Sequence, residues 1–207
     1  MKNVYIIILI GLLITSCLPG SMIEGKIILE NDSLNVSFNI PARTFKDEPH
    51  FEEMQYEISF INEEGEVKTL SPNELKAIEF SYNNSMYKMV SVKNTFEDSK
   101  LTHLLLKLEI DGPLKLYSYW NKGSSSTMYN PANGGVSGGR NTTEKTFMLQ
   151  KENDKPFPVK TLSFKKRMIN YFNDCPELCT KIESQEFRKR DIKAIVNYYN
   201  SSCKTNK

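Results

Sequence analysis

The sequence predicts an α+β protein that is mainly β: an antiparallel β-sandwich or partly closed barrel of about eight to ten strands, followed by three short C-terminal helices. Three observations carry this. Apolar and polar residues alternate repeatedly between Glu24 and Lys160, the period of half-buried strands. Turn-forming residues break that alternation at hairpin spacing, at Asn31-Asp32, Gly65, Asn83-Asn84 and Asp111-Gly112. Beyond Lys160 the apolar period changes to that of helices.

The first segment is a leader. Lys2 precedes the apolar run VYIIILIGLLI, residues 4–14. A run of about a dozen residues is short of the roughly 20 that a spanning helix needs, and its length suits the core of a signal peptide over residues 1–16. Ile14, Thr15, Ser16 and Cys17 follow. An aliphatic residue, two small residues and a cysteine resemble the lipobox of bacterial lipoproteins, in which the cysteine is lipidated and becomes the new N-terminus. That resemblance implies lipidation at Cys17 and a short leader over residues 17–23. Plain secretion, with Cys17 discarded, and an uncleaved anchor are the alternatives. One acyl chain anchors a protein marginally and a second makes the hold stable; bacterial lipoproteins carry more than one.

The β-rich body, residues 24–160, then reads as successive hairpins. GKIILENDSLNVSFNI is a strand pair in which Val36, Phe38 and Ile40 share a face. Residues 41–53 hold two prolines and mixed charge, and read as a loop. Tyr56, Ile58 and Phe60 alternate into a hairpin turned by Gly65. Ser71-Pro72-Asn73-Glu74 is a capping box opening one helical turn. A hairpin bent at Asn83-Asn84 follows. LTHLLLKLEIDGPLKLYSYW is the most apolar stretch of the body and predicts a central strand pair. Residues 121–143 are rich in Gly, Ser and Asn and read as a long mobile loop. EKTFMLQ returns as a strand, and PFPV is a short edge or linker.

The cap spans residues 162–203. Phe164, Met168, Tyr171 and Phe172 form one helical stripe with Ser163 as the expected N-cap. Asp174 and Glu177 fit a second capping box around Pro176, with Leu178 and Ile182 as the stripe. Ile192, Ile195, Val196 and Tyr199 form the third. Three short stripes need the sheet as a partner.

Cysteine and charge bound the setting. Beyond Cys17 there are Cys175, Cys179 and Cys203. In an exported chain a disulfide is expected, with one cysteine left over. Cys175–Cys203 and Cys179–Cys203 are both open on spacing. A zinc site is disfavoured because His50 and His103, the two histidines, lie far from the cysteines and from each other; no metal and no cofactor are expected. The net charge of +2 conceals a split: from Lys160 onward there are 11 basic and 5 acidic residues. Nucleic acid is a poor partner, since the clusters FKKR and FRKR interrupt apolar helix stripes.

The segments GKIILENDSL, FINEEGEVKTLSPNELKAIEF and FKKRMINYFNDCPELCTKI with the later FRKRDIKAIVNYYNSSC resemble a group of uncharacterised exported proteins of Bacteroidetes. Those have a β-rich body and a helical tail containing Cys-Pro. The resemblance favours pairing of Cys175 with Cys203, and Cys179 is an addition to the pattern. It brings no activity. In similar lipoproteins acidic residues after the lipidated cysteine direct export to the surface; Glu24 is the first acid here, which favours the periplasmic side of the outer membrane.

Catalytic patterns are thin. The run NGGVSGGRNTT lacks the Gly-Lys-Ser/Thr ending of a phosphate loop. His103 shares a strand face with Leu101 and Leu105, opposite Leu104 and Leu106. His50 has Glu52 and Glu53 for company. Tyr117, Tyr119, Trp120 and Tyr129 concentrate aromatic groups beside the long loop, the expected binding surface. The function expected is that of a non-catalytic envelope lipoprotein, a binding or assembly module held to the membrane by its N-terminal lipid, with an envelope protein as partner. Two alternatives are a barrel-type carrier of an apolar ligand, with a cavity lined by Leu104 and Leu106, and a hydrolase built on a histidine beside a carboxylate or hydroxyl.

Overall fold

A computed structural model of the protein describes residues 21–40, 48–95, 101–124, 128–130, 135–137, 141–152 and 154–203. Cys17 and the leader lie outside the described residues. Ten strands form one antiparallel sheet: β1 (Ser21–Ile28), β2 (Ser33–Ile40), β3 (Ile58–Ile61), β4 (Val67–Leu70), β5 (Ala77–Tyr82), β6 (Ser85–Lys93), β7 (His103–Ile110), β8 (Leu114–Ser124), β11 (Asn141–Lys151) and β12 (Phe157–Pro158). Their order is β12-β11-β8-β7-β6-β5-β1-β2-β3-β4. β9 (Met128–Asn130) and β10 (Gly135–Ser137) pair as a separate ribbon. The helices are α1 (Phe51–Met54), α2 (Phe164–Tyr171), α3 (Pro176–Glu183) and α4 (Ile192–Tyr198).

The sheet has free edges at β4 and β12, yet it is rolled. β3 and β7 are five strands apart in the order, about 24 Å across a flat sheet. Gln55, three residues before β3 and so within about 10 Å of it, accepts a hydrogen bond from the Leu105 amide of β7 at 3.0 Å. The two strands therefore approach each other around a tube. The other end of the hairpin agrees: Ser91 of β6 donates to the carbonyl of Pro72, two residues past β4. A single rolled sheet thus takes the place of the two sheets of a sandwich.

The interior of the roll holds Ile27, Val36, Phe38, Ile40, Phe60, Ile78, Phe80, Met89 and Leu105, closed by Phe51, Met54 and Trp120. Each fully buried Phe contributes about 2–3 kcal/mol. Gly25 makes room for this packing. A Cβ there would stand 2.6 Å from the Phe38 ring and 2.5 Å from the Glu79 carbonyl.

Several sequence expectations shift. Within the loop expected over residues 121–143 the described residues are strand: β8 and β11 pair as far as Ser124 and Asn141, and β9 pairs with β10. β1 begins at Ser21, inside the expected leader. The Ser71 capping box forms, with the Ser71 amide donating to Glu74 at 2.8 Å. Ser163 does not cap α2; it sits in the left-handed region at φ +57° with no side-chain cap bond. Cys175 occupies the N-cap position of α3, because Asp174 is engaged elsewhere.

The three C-terminal helices pack on the β8–β11 hairpin. Leu114, Leu116 and Leu149 of the sheet meet Met168, Phe172, Leu178, Ile182, Ile195, Val196 and Tyr199. Asn200 fastens the end: its side chain accepts from the Leu114 amide at 2.8 Å and donates to the Leu114 carbonyl at 2.9 Å.

Candidate functional site

The polar groups that the fold brings together lie where β7 and β8 part. These strands pair at Lys107–Ser118 and Leu108–Tyr117. Beyond that they diverge, and Gln55 fills the fork. Its side-chain amide donates to the Trp120 carbonyl at 2.7 Å and accepts from the Trp120 amide at 3.1 Å. Gln55 is fully buried, so these bonds satisfy groups that would otherwise be costly. Trp120 stacks on Phe51 at 5.1 Å, and Phe51 leans on Tyr87 at 5.2 Å.

Beside this aromatic floor stands Glu109, with its side chain 7% exposed. It accepts from Ser118 at 2.6 Å, Lys145 at 2.8 Å and Lys193 at 2.9 Å. Lys107 is 3.5 Å away. Burial pushes the carboxyl up, but the hydrogen bonds from Lys145, Ser118 and Lys193 and the charge of Lys107 outweigh it and hold it at about 2. Lys107 also lies over the Phe51 and Tyr87 rings, and Lys145 over Trp120. At neutral pH Glu109 is an anion with its lone pairs engaged. It can hold sheet and cap together through Lys193 of α4; it has no proton to give.

A second node holds the cap. Lys151 donates to the Tyr171 carbonyl and to Asp174, both at 2.7 Å, and lies over the rings of Tyr171, Phe172 and Tyr199. Tyr199 donates to the other Asp174 oxygen at 2.5 Å. Burial pushes the Asp174 carboxyl up, and the Lys151 and Tyr199 bonds more than reverse it, leaving it below the usual carboxylate range. Alongside, Cys175 and Cys203 form a disulfide-capable pair with Cα atoms 5.5 Å apart, and Cys179 is free. The Cys179 thiol donates to the Phe172 carbonyl at 3.1 Å. Burial, with Glu183 and Asp174 nearby, pushes its pKa up, which keeps it a thiol.

The expected aromatic surface is not a surface. Tyr117, Tyr119 and Trp120 are all buried, Tyr119 the most exposed at 9%. Trp120 enters the roll, while Tyr117 and Tyr119 face the opposite side with Leu104, Leu106 and Met148. The alternation separates them as their spacing requires. Tyr129 lies on β9, and its side chain is outside the described residues. Leu104 and Leu106 likewise point away from the interior, which Leu105 faces. Leu104 and Leu106 therefore do not line the interior of the roll, where Phe38, Phe51, Phe60, Phe80 and Trp120 pack.

The histidines part company. His103 contacts the neighbouring Thr102 hydroxyl at 3.2 Å. His50 is 2.9 Å from Glu53, and buried Glu52 accepts from Thr143 at 2.8 Å. The Glu52–Thr143 bond braces α1 against β11. Glu63 and Glu64 are exposed in the β3–β4 turn. Among the described residues no cluster of three or more His, Cys, Asp or Glu is placed to hold a metal.

A depression of about 680 Å³ lies elsewhere, over β1, β2 and β5, lined by Glu24, Lys26, Val36, Ile61, Phe80 and Met86 among others. Sequence reasoning passed over Gln55, Lys107 and Glu109. The signal for the last two was present, since charged residues replace apolar ones on the Leu105 face of β7. Gln55 carried no such signal, because its partners are backbone atoms 50 and more residues away.

No protein-family model matches the chain, and neither a curated protein nor a solved structure does.

Proposed function

We propose that the protein is an exported envelope lipoprotein, anchored through Cys17, that serves as a non-catalytic binding or assembly module. The observation that carries this is the start of β1 at Ser21. Only four positions separate it from Cys17, so an acylated cysteine would hold the sheet within about 14 Å of the bilayer. The apolar run and lipobox-like residues before it support the same reading, and so does the resemblance to exported Bacteroidetes proteins. The disulfide-capable pair Cys175–Cys203 fits an oxidising compartment. The 680 Å³ depression beside β1 offers an envelope protein a mixed surface, apolar at Val36, Ile61, Phe80 and the exposed Met86 and charged at Glu24, Lys26 and Glu79.

Mass spectrometry of the membrane-extracted protein tests the anchor. The expected mature peptide begins at Cys17 and carries acyl chains, and C17S moves the protein from the membrane to the soluble fraction. A mature protein that retains the leader, or begins beyond Cys17, overturns it.

A further inference from the structure

Between β12 and α2 the chain makes a turn that lifts one side chain clear of the body. Val159 is buried, and three residues later Leu162 is 84% exposed. The turn is braced. The Phe164 amide donates to the Thr161 carbonyl at 3.3 Å, the Arg167 amide to the Ser163 carbonyl at 3.0 Å, and Lys189 to the Thr161 hydroxyl at 2.5 Å. Ser163 at its tip is left-handed, φ +57°, a conformation that a non-glycine residue adopts at a cost. The fold thus spends backbone strain to display a leucine.

The surroundings of Leu162 are mainly cationic, with Glu144 beside Lys160 and Glu183 beside Lys165 as the nearby acids. Lys160 lies on one side and Lys165 and Lys166 on the other, all exposed. Among the described residues Lys160 and Lys166 have no ion-pair partner, and Lys165 donates only to the backbone carbonyl of Glu183 at 2.8 Å. Next to the tip is a shallow hollow of about 410 Å³ bounded by Ser163, Lys165, Lys166, Ile169 and Asn170. Lysine stems and Ile169 give it apolar walls beneath cationic rims.

We infer that the Leu162 turn and the lysines around it are a contact for the surface of an anionic phospholipid bilayer, with Leu162 entering between headgroups and Lys160, Lys165 and Lys166 meeting phosphate charge. The inference rests on the lipid-anchored reading, which brings the body beside a membrane. A bilayer fits better than a protein. A stable protein interface takes about 800 Å² from each partner, whereas the apolar element here is one protruding side chain and a narrow hollow. A single wedge among lysines that outnumber the neighbouring acids suits a soft, negatively charged surface.

The test uses the full-length protein carrying L162W, as extracted from the membranes of the cells that make it, with vesicles of phosphatidylcholine alone or with one quarter phosphatidylglycerol. Trp120, the sole native tryptophan, is buried and gives a steady background. The expected result is flotation with both vesicles. Quenching of the introduced indole by brominated lipid is expected only when phosphatidylglycerol is present, and K165E/K166E should lower that quenching about tenfold. Flotation on both vesicles without quenching overturns the contact and leaves the anchor standing; it assigns the patch to an acidic protein instead. Flotation and quenching on anionic vesicles alone overturn the anchor and leave the contact. Failure to float on either overturns both.

Discussion

The rolled body and the helical cap are stabilised in different ways. The body is joined by a continuous ladder of strand pairs from β4 to β12, and its interior is apolar apart from Gln55 in the fork and the Ser118, Lys107 and Glu109 groups beside it. The cap consists of helices of eight, eight and seven residues, each too short to persist alone. It borrows a floor from Leu114, Leu116 and Leu149 and adds fasteners: the cysteine pair, Lys151 under three rings, Asn200 on Leu114, and Lys193 on Glu109. Where backbone pairing links distant segments, few side-chain fasteners are used. Where it is missing, covalent and charged groups take over.

That contrast can be broken from either side. The largest effect is expected from Q55L. It leaves the Trp120 amide and carbonyl without partners inside the fork, and each buried unpaired group costs 1–3 kcal/mol, for a loss of about 4 kcal/mol. Trp120 fluorescence and far-UV circular dichroism should shift together to lower denaturant, because the roll supports everything else. A loss below about 1 kcal/mol would mean that the fork is held by something other than Gln55.

C203S comes next. Cys175 and Cys203 are 28 residues apart, and a cross-link of that span is worth about 3 kcal/mol. Here the two probes should separate. Helical signal should melt first while Trp120 keeps its native emission, and amides of α3 and α4 should lose exchange protection before those of β5 and β6. Coincident transitions would show that cap and body unfold as one unit.

The third effect is smaller and depends on acidity. The Glu109 carboxyl lies at about 2 when folded and near 4.3 in an unfolded chain. Its contribution is therefore fully present above about pH 4.3 and is lost as pH falls toward 2. We expect about 2 kcal/mol between those limits, with E109Q flattening the dependence. Equal acid sensitivity in E109Q and the parent protein would assign the loss to other carboxylates, Asp174 first.

Sequence patterns revealed the strands better than their partners. Val36, Phe38 and Ile40 announced β2 by alternation, and all three face the interior. On β7 the same reasoning grouped Leu104 with Leu106 correctly but could not tell that both faces are buried, so the inward side chain is Leu105. The stretch 121–143 read as loop because its residues are small and polar, although ladder bonds need no particular side chain there. Asp174 looked like a helix cap because spacing within the chain is visible; Lys151, which draws it away, is 23 residues upstream. Glu109 was hidden for the same reason, since its partners come from β7, β8, β11 and α4.

The Asn200–Leu114 clasp joins residues 86 apart, and the surface it closes does not exist until β8 and β11 have paired. Assembly therefore has a direction. The C-terminal helices have nowhere to dock until the hairpin beneath them is complete. A chain interrupted before α2 would present a nearly finished sheet with its greasy floor uncovered, a form that quality-control proteases are well suited to remove.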